Sequence, residues 1–158
     1  MQKITPFLWF DGKAEEAANF YVSIFRNAKI VDVRRYTDAG PRPSGSAMSA
    51  TFEVDGQQFI AFNGGPHFSF TPAISLFVDC KTQEEVDDYW EKLSAGGEKS
   101  RCGWLKDKYG LSWQIVPSVL GELLQDKDAK RAARVMAAMM QMGKLDIQAL
   151  QQAAAQPE

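Results

Sequence analysis

The chain has 158 residues, enough for one domain with a substantial core, and its hydrophobic (45%) and charged (24%) fractions are those of a folded globular protein. A formal net charge of −2 supplies no basic field to hold a phosphate backbone, which argues against nucleic acid as a partner. No apolar run approaches the roughly 20 residues of a membrane helix, and Met1 to Pro6 leads straight into a strand-like stretch with no signal peptide, so a cytoplasmic protein is expected.

Ile4 to Phe10 is short, apolar and aromatic and ends at Asp11-Gly12, which predicts a strand and a turn. Ala17, Phe20, Tyr21, Ile24 and Phe25 recur at helical spacing and predict a helix over Ala14 to Phe25. A strand is expected over Ala28 to Tyr36, followed by a Gly- and Pro-rich loop to Ser46. Ala47 to Val54 and Gln57 to Asn63 flank Asp55-Gly56, a hairpin signal. After the loop from Gly64 to Pro72 the order restarts with a strand from Ala73 to Asp79. Thr82 and Glu85 have the spacing of a capping box for a helix to about Ser94, and Gly96-Gly97 stops it. A weak strand around Glu98 to Arg101 precedes a second hairpin, Gly103 to Lys108 and Leu111 to Val116, around Tyr109-Gly110.

The halves repeat. Leu8-Trp9-Phe10-Asp11-Gly12-Lys13 lies over Leu76-Phe77-Val78-Asp79-Cys80-Lys81. With one residue inserted, Glu15-Glu16 lies over Glu84-Glu85 and Phe20-Tyr21 over Tyr89-Trp90. The fold class is therefore α+β: two βαβββ modules, about 1–65 and 73–117, forming a curved mixed sheet with a cup, plus a C-terminal helical extension. That extension, 118–158, is expected to pack on the same domain or on a partner subunit. It reads as helices over Ser118 to Gln125, from Asp128 to Gly143, and over Leu145 to Ala155, with Gln156-Pro157-Glu158 fraying. Its Met-rich stripe reads as core or dimer packing, and Lys127, Lys130, Arg131 and Arg134 as a solvated face.

The modules, with Leu8-Trp9-Phe10-Asp11-Gly12, Phe62-Asn63-Gly64-Gly65-Pro66, Tyr89-Trp90 and above all Cys102 to Ile115, resemble the vicinal-oxygen-chelate superfamily of glyoxalases, bleomycin-resistance proteins and extradiol dioxygenases. Within it they look like the PhnB-like branch, which carries the label 3-demethylubiquinone-9 3-methyltransferase. The resemblance implies a homodimer. It also implies that any metal would be held by the first and last strands of each module, two ligands from each. The first three of those strands offer no His or Glu, and only Asp79 and Cys80 at a strand end; the last offers only Gln114, where the superfamily often has a Glu. A catalytic divalent site needs about three His or carboxylate ligands, so neither metal nor other cofactor is expected.

His67 is the one histidine and the natural general base, in a loop that could overhang the cup, with Gln114 as its catalytic companion. Gly64-Gly65 and Gly96-Gly97 follow a strand and end a helix; neither opens a helix as a methyl-donor loop does. Trp9, Phe62, Phe68, Phe77, Trp104 and Trp113, with Asn63 and Ser75, describe a pocket for an aromatic or apolar small molecule, although alternation forbids Trp9 and Phe10 from sharing a face. The expected function is metal-independent small-molecule binding of the glyoxalase/bleomycin-resistance type. An enzyme of the same superfamily, a lyase, isomerase or methyltransferase-like protein, is the alternative, and assembly through the tail is a third. Cys80 and Cys102, without metal spacing, read as reduced, buried, small apolar residues.

Overall fold

The computed structural model describes residues 2–156; Met1, Pro157 and Glu158, which the readings of both chain ends include, lie outside the described residues. The chain divides into two units, residues 2–70 and 71–156.

In the first unit the turn at Gly12 (φ 76°) leads from β1 (Phe7–Phe10) into α1 (Ala14–Ile24). Ala14, Ala17, Ala18, Tyr21 and Ile24 form the buried stripe of α1, and Phe25 turns extended and stops it. The chain returns through β2 (Ala28–Arg35), then β3 (Ala47–Val54) and β4 (Gln57–Asn63). The β3–β4 hairpin turns on Asp55 (φ 50°) and Gly56 (φ 81°), the left-handed pair that matches the strand twist. The sheet order is β1-β4-β3-β2, with β1 parallel to β4 and the other pairs antiparallel.

Register decides which side chains are available. Leu8 pairs with Ala61 and Phe10 with Asn63, and Ala50 and Phe52 share their side. Helix α1 covers that side: the Tyr21 and Phe52 rings lie 5.6 Å apart. Phe7, Trp9, Ile60 and Phe62 occupy the opposite, open face.

The second unit repeats the arrangement with β5 (Ser75–Cys80), α2 (Gln83–Ser94), β6 (Glu98–Lys99), β7 (Trp104–Lys106) and β8 (Ser112–Pro117), in the order β5-β8-β7-β6. The Thr82 hydroxyl accepts the Glu85 N–H at 3.2 Å, and Gly96 (φ 77°) lies just beyond the helix. The buried Leu105, Trp113 and Ile115 of the sheet and Val86, Trp90 and Leu93 of α2 fill the space between them. The alternate positions, Ser75, Phe77, Trp104, Lys106, Ser112 and Gln114, form the open face. The α+β class and the two βαβββ modules read from the repeat are thus present, each with its own four-stranded sheet.

Beyond β8 come α3 (Ser118–Leu124), α4 (Ala129–Met140) and α5 (Ile147–Ala155). Val116, Leu120, Val135, Leu145, Leu150 and Ala154 form their core, with Met139 and Met142 packed against it. Helix α4 stops at Met140, before Gly143, with Gln141 as its cap, and the Met142 and Gly143 carbonyls beyond it accept the N–H groups of Cys102 and Gly103. Arg134 is not a solvated side chain: its guanidinium donates to the Ala153 and Ala154 carbonyls, at 3.0 Å each, at the end of α5.

Candidate functional site

On the open face of the first sheet the aromatic residues touch one another. The Trp9 indole N–H donates to the Gly65 carbonyl at 2.9 Å. Its ring lies so close over Gly64 that a Cβ there would fall 2.2 Å from the indole, which is why glycine stands at that point. Phe62 and Phe68 meet Trp9 edge-on, at centroid distances of 5.4 and 4.9 Å, and Phe7 lies 5.1 Å from Phe62. Edge-to-face pairs of this kind stabilise the cluster beyond the area they bury. Phe68 is still 67% exposed, so the cluster presents an aromatic surface.

Two residues expected at a ligand lie on the helix-covered sides of their sheets and not on the open faces. Asn63 lies on the α1 side: its Oδ1 accepts the Ala14 N–H at 2.9 Å and its Nδ2 donates to the Ala47 carbonyl at 3.1 Å. It holds the start of α1, and it borders a separate cavity of about 560 Å³ with Glu15, Glu16, Asn19 and Arg42. Trp113 lies on the α2 side, buried, with its indole N–H on Asp107 Oδ2 at 2.9 Å. Asp107 also accepts the N–H groups of Tyr109 and Leu111, at 2.8 and 3.1 Å. The Asp107 to Trp113 segment, part of the most specific family stretch, is therefore a folding device built around one buried carboxylate. Both placements have one cause: alternation says that chain neighbours face opposite ways, not which of the two faces the helix covers.

The open face of the second sheet carries Ser75, Phe77, Trp104 and Gln114 together. Gln114 Nε2 donates to Ser75 Oγ at 3.0 Å, and Gln114 is the ladder partner of both Phe77 and Trp104. Phe77 is 60% exposed. Ser112, beside Gln114 in alternation, went unnoticed in the sequence; it is buried and borders a pocket with Trp104 and Lys106. His67 is exposed in the loop after Gly65, in the first unit, whereas Gln114 is in the second.

The sequence profile of the family described as 3-demethylubiquinone-9 3-methyltransferase matches residues 2–116. This chain belongs to that family. The PhnB protein of Bacillus cereus, provisionally described by the same activity, is 44% identical; the match covers 74% of this chain and all of that one, with a TM-score of 0.69. A Pseudomonas aeruginosa protein (19% identical, 74% and 98% covered, TM-score 0.63) shares the fold. So does the fosfomycin resistance protein FosX of Listeria monocytogenes (16%, 77% and 97%, TM-score 0.51). None of the curated proteins matches.

For a divalent metal, the open-face positions of β1, β4, β5 and β8 supply aromatic rings, hydroxyls and amides. The one carboxylate, Asp79, is exposed and accepts the Ser118 hydroxyl at 2.9 Å. Among the described residues no three His, Cys, Asp or Glu side chains group as metal ligands, so this donor set does not fit a catalytic divalent ion. For a methyl-donor nucleotide, both glycine pairs are already committed to packing. Gly64 makes room for Trp9, and a Cβ on Gly97 would meet the Lys106 carbonyl at 2.1 Å. Among the described residues no helix is long and apolar enough to cross a membrane.

Proposed function

We propose that this family member binds a small aromatic or apolar molecule on its open sheet faces and does so without a metal, in the manner of the bleomycin-resistance type. One observation carries the reading: the face of the first sheet not covered by its helix is aromatic, that of the second sets two aromatic rings among polar groups, and the strands that would hold a metal present Trp9, Phe62, Phe77 and the Ser75–Gln114 pair instead. Trp9, Phe62 and Phe68 form the platform of the first unit; in the second, Phe77 and Trp104 offer rings beside Ser75 and Gln114, a polar anchor that orients a ligand there. The B. cereus protein's description would suggest methyl transfer, but the glycine pairs do not favour it. The exposed apolar side chains Ile4, Phe7, Ile74 and Phe77 support a homodimer.

Native mass spectrometry of freshly purified protein, with elemental analysis of the same sample, tests this. A metal-free dimer is expected, with any small adduct identifying the ligand. A stoichiometric transition metal would overturn the metal-independent reading. Turnover of a ligand that disappears in a folded His67→Ala variant would move the protein to the enzyme branch.

A further inference from the structure

Beside β7 in the second sheet lies a pocket of about 370 Å³, bordered by Pro72, Arg101, Cys102, Trp104, Lys106 and Ser112 among others. Ser112, one of the residues that border it, is 1% exposed. Among the described residues its hydroxyl is the one buried side-chain polar atom with no hydrogen-bond partner. A hydroxyl removed from water and left unpaired is costly, and in a native fold such a group calls for a reason. Here it borders a space large enough for a small ligand.

The charges around it have one sign. Lys106 is the ladder partner of Ser112, so their side chains leave the same face side by side. Arg101 stands at the rim. No acidic residue borders the pocket, and among the described residues no carboxylate comes within ion-pair distance of Arg101 or Lys106. Elsewhere in the chain exposed cations such as Lys99, Lys92 and Lys144 do find carboxylates. The remaining wall is mostly apolar: Trp104, Pro72, Leu105 and Cys102, with Ser100 the one other polar residue. Cys102 is held at φ 59° by its N–H on the Met142 carbonyl, so its side chain has a fixed place at the rim.

We propose that this pocket takes a small organic carboxylate with a flat or apolar body. Ser112 donates its hydroxyl proton to the carboxylate, Lys106 and Arg101 supply the opposing charge, and the body of the ligand lies against Trp104 and Pro72. The assignment rests on the open face being the binding surface, and adds the class of ligand that it selects.

Titration calorimetry with two acid–amide pairs of equal shape, benzoate with benzamide and cinnamate with cinnamamide, separates the two ideas. Each acid is expected to bind at least tenfold more tightly than its own amide. Ser112→Ala and Lys106→Met, each checked for an unchanged circular dichroism spectrum, should weaken the acids at least fivefold and leave the amides alone. The acids should also slow alkylation of Cys102 by iodoacetamide. Acid and amide binding alike would overturn the carboxylate assignment while leaving an aromatic binding face intact. Acid binding that survives both substitutions would place the anion elsewhere and overturn it too. Binding of none of the four would remove this assignment, and the mass-spectrometric result then decides the broader reading on its own.

Discussion

Phe62 and Asn63 are neighbours in the chain and face opposite ways, and their substitutions should separate accordingly. Asn63→Ala would leave the Ala14 N–H and the Ala47 carbonyl without their buried partner. It should cost about 2 kcal/mol of unfolding free energy, read in a denaturant titration. Phe62→Ala, on the open face, should act chiefly on ligand affinity. The two cysteines divide in the same way. Burial, reinforced by Glu85 and Asp79, pushes the Cys80 thiol up to about 12, so it stays protonated and inert in the native state. Cys102 is only half-buried and borders a pocket. A thiol reagent at pH 8 should therefore modify one cysteine per native chain, none in Cys102→Ser, and two after denaturation. Reading both thiols as buried was thus half right: composition gives the chemistry of a residue, while its exposure depends on a loop held by Met142 and Gly143.

At the scale of elements, α2 and the α4–α5 connection are joined by one amide. Gln83 Oε1 accepts the Ile147 N–H at 2.8 Å, and its Nε2 donates to the Leu145 carbonyl at 3.1 Å and to Asp87 at 2.9 Å. Gln83→Ala should lower stability by about 1–2 kcal/mol and speed proteolytic cleavage between α4 and α5. The Lys144 ammonium, and then the Gln83 amide, hold the half-exposed Asp87 carboxyl below the usual carboxylate range. A carboxyl whose pKa is lower in the folded state adds stability above its unfolded value and loses it as pH falls through the folded one. The clamp should therefore loosen on acidification below about pH 4, an effect kept small by solvent screening and absent in Asp87→Asn. The signals that fix elements were legible because they are local: Asp55-Gly56, Gly96, and the caps at Thr82 and Asp128. What was not legible was long-range. Nothing near Trp113 announces that Asp107 takes its N–H, and a serine between Leu111 and Trp113 gives no sign that its hydroxyl will be buried and unpaired. Among the expected site residues, Trp9, Phe62 and Phe68 meet on one open face and Ser75, Phe77, Trp104 and Gln114 on the other, whereas Asn63 and Trp113 are spent on the fold.

Across the whole molecule the two units follow one plan: first strand beside last, then third, then second. The repeat seen in the sequence is thus a repeat of topology, and each unit pairs its first strand in parallel with its last, Phe7 with Ile60 and Ser75 with Ser112. That closure sets an order in time. Adjacent strands can zip as soon as their hairpin turns, but β1 and β5 have no partner until nearly the whole of their βαβββ module exists, and such distant pairings carry the slow part of the search. Pulsed hydrogen exchange during refolding should find the β3–β4 amides protected before those of β1; simultaneous protection would contradict this. On the ribosome the same geometry makes the opening strand of each half the last to settle. The aromatic Phe7-Leu8-Trp9-Phe10 segment therefore waits, unpaired and adhesive, for a strand that has yet to be translated.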